Sequence, residues 1–189
     1  MIIGITGGIG SGKSTIAQEL SKHGFAVYDC DREAKRIIAE NNEVQQAIMG
    51  LLGEEAFVDG NYNTQYVAQR VFADPQLRQQ LNAIIHPAVK KDILLKQPRI
   101  IESAILCEAG LDRLCDQIIV VEAPEDIRIE RVIARDYQGD ASPANIDKVR
   151  ARVQAQANAY DAIPLQKRLT IINDGQTPIA ELVQILTNS

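Results

Sequence analysis

Residues 4–15 read GITGGIGSGKST, and the eight from Gly7 to Ser14 fit the spacing G-x-x-x-x-G-K-[ST]. The residue types suit one task. Gly7, Gly8, Gly10 and Gly12 let main-chain amides curl around a phosphate with no Cβ in the way. Ser11 completes the loop, and a helix starting near Lys13 turns its positive end toward the same anion. In that arrangement Lys13 reaches the β- and γ-phosphates of a nucleotide, the Ser14 hydroxyl binds Mg²⁺, and Thr15 sits in the first turn behind them. The competing reading is a glycine-rich strand-to-helix turn without a ligand.

A second group of residues follows in VYDCDREAK, where Asp29 and Asp31 stand just past an apolar stretch. In an open parallel sheet the carboxyl ends of the strands are where ligands bind. A carboxylate there can accept the proton of an attacking hydroxyl. Asp31 is equally well placed as the N-cap of a helix over 32–40, and the two roles are compatible. No N-K-x-D guanine-reading motif occurs, which weighs against a GTPase. A third feature is charge: between Arg128 and Arg152 six basic residues outnumber four acidic ones in a chain of net charge −5. Arg131, Arg135 and Arg152 are candidates for phosphate contact, Arg135 foremost, whereas Arg128 and Lys148 read as solvated helix charges.

These residues need a frame, and the sequence supplies one. Apolar runs at 2–6, 25–28, 99–106, 117–122 and 169–172 read as buried strands. Helical patterns lie at 13–23, where Gly24 is a good stop, at 124–136, and from Ser142-Pro143 to about 160; Thr177-Pro178 opens a terminal helix. The alternation predicts an α/β fold, a parallel sheet flanked by helices. From 31 to about 97 the chain reads as helical with no convincing strand, punctuated by Asp59-Gly60-Asn61, Asp74-Pro75 and His86-Pro87. That stretch is too long for a single crossover and reads as an insertion that holds a substrate. Glu102 is unusual within its apolar run; it suits a metal-facing or substrate-facing role, or an edge position, equally well.

Composition narrows the class. The 189 residues, 46% hydrophobic and 24% charged, suit one globular domain. The acidic balance argues against a general nucleic-acid binder. No run has the length of a membrane span, and no basic, then apolar, leader opens the chain. Cys30, Cys107 and Cys115 form no C-x-x-C pair; they read as reduced apolar fillers in a cytoplasmic protein.

GITGGIGSGKS followed by VYDCD resembles the dephospho-CoA kinase family, and further segments agree in order: LNAIIHP at 81–87, RVIARD at 131–136, Arg152 with Gln156, and IINDG at 171–175. The chain departs from the family's usual pattern at Ala104-Ile105-Leu106 and at Asp174. The resemblance implies a P-loop kinase with a core of about 1–31, 98–130 and 160–189, an acceptor-binding insert at about 32–97 and a lid at about 131–159. It implies ATP and Mg²⁺ on the loop, with Asn173 and Gly175 near the adenine. It also implies dephospho-CoA as acceptor, with Asp31 as general base and Asn82 and His86 on the acceptor side. Lys13 and Arg135 would complete the catalytic set. The alternatives are a nucleoside or nucleotide kinase, or a non-catalytic ATP-binding regulator.

Overall fold

The computed structural model describes residues 1–156, 159–176 and 180. Contacts divide the chain into two units, one made of Met1–Tyr28 with Pro98–Ser189 and the other of Asp29–Gln97.

The first unit is built on strands β1 (Ile3–Gly7), β2 (Val27–Asp29, which leads out of it), β5 (Ile100–Glu102), β6 (Gln117–Glu122) and β7 (Arg168–Ile172), in the order β2-β5-β1-β6-β7. Strand β1 is parallel to both neighbours, Ile3 standing opposite Ile100 on one side and Gln117 on the other; β6 and β7 are also parallel. All of β1 and the interior of β6 are buried, which is why both read as unbroken apolar runs. Helix α1 (Lys13–Lys22) lays Ile16, Ala17 and Leu20 against Ile3, Ile5, Ile100 and Val121. It ends as expected: Gly24 has φ +86° and the Phe25 amide donates to the Leu20 carbonyl at 3.2 Å. Helices α6 (Glu125–Asp136) and α7 (Pro143–Gln154) form a second cluster from Ile129, Val132, Ile133, Val149 and Val153, with Ile9 packed on it.

The second unit holds α2 (Cys30–Glu40), α3 (Asn42–Leu52), α4 (Thr64–Ala73) and α5 (Pro75–Lys96). All four helices start on side-chain caps that accept main-chain N–H groups, from Asp29, Asn41, Asn63 and Asp74. Contrary to the all-helical expectation, β3 (Phe57–Val58) and β4 (Asn61–Tyr62) pair as a small antiparallel hairpin. Its turn uses positive φ at Asp59 and Gly60, the conformation that suits a two-residue hairpin. His86-Pro87 does not interrupt the chain either. Helix α5 runs through Pro87, with Leu81 buried before it and Val89 and Ile93 after it on the same side. Packing outweighs the one hydrogen bond that proline removes.

Strand β5 is shorter than its apolar run, because the Ser103 hydroxyl accepts from the Ile105 amide and turns follow to Gly110. Helix α7 stops at Gln154 rather than near 160, and the helix expected from Thr177 lies outside the described residues. Among the described residues no helix is long and apolar enough to cross a membrane.

Candidate phosphate-binding site

Helix α1 begins on the last glycine of the loop. Gly12 is its N-cap at φ +88° and ψ 18°, a left-handed conformation that glycine adopts at little cost, and no side chain caps the helix. Its first amides are left to an outside acceptor. The loop closes on itself through the Ser11 amide, which donates to the Gly8 carbonyl at 3.1 Å. A cavity of about 600 Å³ opens above it, lined by Gly10 and Gly12 of the loop and Lys13, Ser14 and Thr15 of α1. Arg131 and Arg135 from α6, and Asn173, Gly175 and Gln176 after β7, form the other wall.

Glu102 is 6% exposed at the end of β5, which lies between β2 and β1; an edge position therefore does not account for it. Its Oε1 accepts a hydrogen bond from Ser14 Oγ at 3.2 Å and lies 3.8 Å from Lys13 Nζ. A buried carboxylate needs such partners, and here they are the two side chains that the loop motif assigns to nucleotide and metal.

The carbonyl side of the loop is held by protein donors. Asn173, 3% exposed, donates from Nδ2 to the Ser11 carbonyl at 2.9 Å. Arg131 Nη1 lies 3.3 Å from the carbonyls of Gly10 and Ser11, and its Nη2 donates to Asn173 Oδ1 at 3.3 Å. Asn173 and Arg131 thus brace the loop from below while lining its cavity. Arg135 also faces the cavity, with Nε 2.6 Å from Asp136 Oδ1; Arg152 Nη1 donates to the other oxygen at 3.1 Å. Arg135 first, and Arg152 second, hold the Asp136 carboxyl below its ordinary range. Arg152 does not line the cavity and is linked to it through Asp136.

Arg128 corrects the expectation of a solvated charge. It is half-buried, its Nε donates to the Ile9 carbonyl at 2.9 Å, and burial pulls its pKa down. The only hint in the sequence is its place beside the apolar stripe Ile129, Val132 and Ile133. Gln156 also reaches the loop, its Oε1 accepting from the Ile9 amide at 2.7 Å.

The remaining candidates belong to the second unit. Asp29, not Asp31, caps α2, its Oδ1 accepting from the Arg32 amide at 3.0 Å. Asp31 stands exposed in the first turn, and among the described residues its carboxylate joins no hydrogen bond or ion pair. Asn82 and His86, four apart on α5, share one helix face, and both are half-buried. None of the three cysteines is in a disulfide; Cys30 and Cys115 are buried, and burial pushes the Cys115 thiol up to about 12, as suits apolar fillers.

Comparison with known proteins places the chain in a family. Residues 1–178 match the family model described as Dephospho-CoA kinase. A Porphyromonas gingivalis protein named dephospho-CoA kinase is 44% identical over 140 residues, covering 71% of this chain and 69% of that one. A Bacteroides fragilis protein of the same name is 37% identical over 199 residues, covering 97% of this chain and 92% of its own. Among solved structures, a Thermus thermophilus protein superposes with a TM-score of 0.76 at 31% identity, covering 100% of this chain and 97% of that one. A shikimate kinase from Acinetobacter baumannii shares the fold alone, with a TM-score of 0.60 at 16% identity over 100% of this chain and 94% of its own.

Proposed function

Since the chain belongs to the dephospho-CoA kinase family, we propose that it transfers the γ-phosphoryl group of ATP to the ribose 3′-hydroxyl of dephospho-CoA, giving coenzyme A and ADP in the last step of coenzyme A biosynthesis. The observation that carries this reading is the meeting of Lys13, Ser14 and buried Glu102 beside a glycine loop with an uncapped helix start. The loop amides and Lys13 hold the β- and γ-phosphates; Lys13 exchanges Glu102 for the nucleotide as it binds. Arg135 stands across the cavity, where it offsets charge on the transferring group.

Ser14 and Glu102 supply hard oxygen donors of the kind Mg²⁺ takes, a small share of its shell when phosphates and water supply the rest. Ser14 would ligate the ion and Glu102 would orient its water. When bound, the ion neutralises charge between the β- and γ-phosphates. The Asp29–Gln97 unit holds the acceptor, with Asn82 and His86 on its side, and α6 with α7 forms the lid. Asp31 accepts the proton of the attacking hydroxyl, a role its freedom from helix capping supports. Asn173 and Gly175 border the adenine.

A coupled ADP-release assay offering dephospho-CoA, AMP, CMP and nucleosides tests the reading. Dephospho-CoA is expected to be the preferred acceptor by a wide margin. Preference for a nucleoside or nucleotide, or ATP binding with no turnover on any acceptor, overturns it.

A further inference from the structure

Ile9, in the middle of the glycine loop, is gripped on three sides by residues from the other end of the chain. Its carbonyl accepts from Arg128 Nε at 2.9 Å, and its amide donates to Gln156 Oε1 at 2.7 Å. Its side chain packs on the core that α6 and α7 share. Arg128 also lies directly over the glycines. A Cβ on Gly8 would strike its Nη2, and one on Gly10 would strike its own main-chain carbonyl. Arg128 Nη2 is buried with no hydrogen-bond partner among the described residues. A guanidinium buried with a donor unmet lowers stability relative to an apolar side chain of similar shape. The donor that Arg128 does use is the one given to the Ile9 carbonyl.

We propose that Arg128 is a positioning residue for phosphoryl transfer, which holds the Ile9 peptide so that the loop has its phosphate-binding shape before nucleotide arrives. Four of the six residues from Gly7 to Gly12 are glycine, so an untethered loop would lose much conformational freedom on binding. A loop already tethered avoids that loss, and the saving appears as nucleotide affinity. The tether stands on α6, the helix that carries Arg131 and Arg135, so one rigid element sets both the loop and the cationic wall of its cavity.

The inference rests on the loop being the nucleotide site, and the test separates the two. If the wild-type protein binds no ADP in calorimetry, the nucleotide reading itself fails. If it binds, Arg128→Met, which keeps the aliphatic stem and removes the donors, is expected to raise the ADP Kd and the ATP KM roughly tenfold. The KM for dephospho-CoA should stay within about twofold and the melting temperature should hold or rise. Arg128→Gln, whose amide nitrogen stands as many bonds from Cα as Nε does, should recover most of the lost affinity although it carries no charge. Gly8→Ala should weaken ADP binding in the wild-type background and do so much less beside Arg128→Met, because the methyl group then has room. Unchanged ADP affinity in Arg128→Met, equal losses for both substrates with a falling melting temperature, no recovery by Gln, or strict additivity with Gly8→Ala would each overturn the proposal.

Discussion

Two aspartates with a single residue between them stand at the start of α2, and the cap that the sequence offered to Asp31 goes to the other. Asp29 takes the cap of α2, and Asp31 is left exposed in the first turn. The two are separable by experiment. Asp31→Asn should lower kcat by about 10²–10⁴-fold, the range for a lost general base, while calorimetric ADP affinity stays as in the wild type. Asp29→Ala should instead cost about 1 kcal/mol of stability, read as a lower midpoint in urea. A near-normal kcat in Asp31→Asn would remove Asp31 from the chemistry. The glycines, Lys13 and Ser14 were legible because the motif is local: their spacing alone forces a strand, a tight loop and a helix start. Arg128 and Asn173 were not legible as braces, because their partners Ile9 and Ser11 lie 119 and 162 residues away along the chain.

Helices α2 and α5 are joined by a charged clamp. Glu33 accepts from Lys96 Nζ at 2.7 Å and Arg36 Nε at 2.8 Å, and Asp92 accepts from Arg36 Nη2 at 2.9 Å. Lys96 first, and Arg36 second, hold the Glu33 carboxyl below its ordinary value of 4.5. A carboxylate with a lowered folded pKa stabilises the protein fully above the unfolded value, and that stabilisation vanishes as pH falls through the folded one. Glu33→Gln should therefore lower the urea midpoint at pH 7 and match the wild type in strong acid. A deficit that persisted at low pH would mean that the clamp acts through packing rather than charge. At this scale the sequence spoke through periodicity, so β1, β6 and α1 were plain. The β3–β4 hairpin, two residues per strand, is too short to show a period. The passage of α5 through Pro87 is decided by buried neighbours on either side, which a local rule about proline does not see.

Across the whole molecule, nucleotide binding and stability are linked. At an ADP concentration about one hundred times Kd the folded state should gain about 2.7 kcal/mol, a rise of several degrees in melting temperature. Lys13→Ala, which removes the cation facing the phosphates, should largely abolish that rise, and its melting temperature without ligand should fall because buried Glu102 loses a partner. An equal rise in both proteins would place the nucleotide elsewhere. The alternation of strands and helices was enough to read the α/β class. The sequence set off about 32–97 as an insert because that length of helix is too great for one crossover; contacts group Asp29–Gln97 as a unit. What the pattern withheld was strand order, since parallel neighbours are chosen by packing and not by adjacency in the chain.

That order has a consequence during synthesis. The strand at the middle of the sheet is the first to be made, yet its ladder partners begin only at Ile100 and Gln117. A ribosome must therefore deliver the whole of Asp29–Gln97 before Ile3 and Ile5 can be covered on either flank. Nascent chains stalled short of Glu122 should present this apolar leading segment to chaperones and proteases, and chains released beyond it should not.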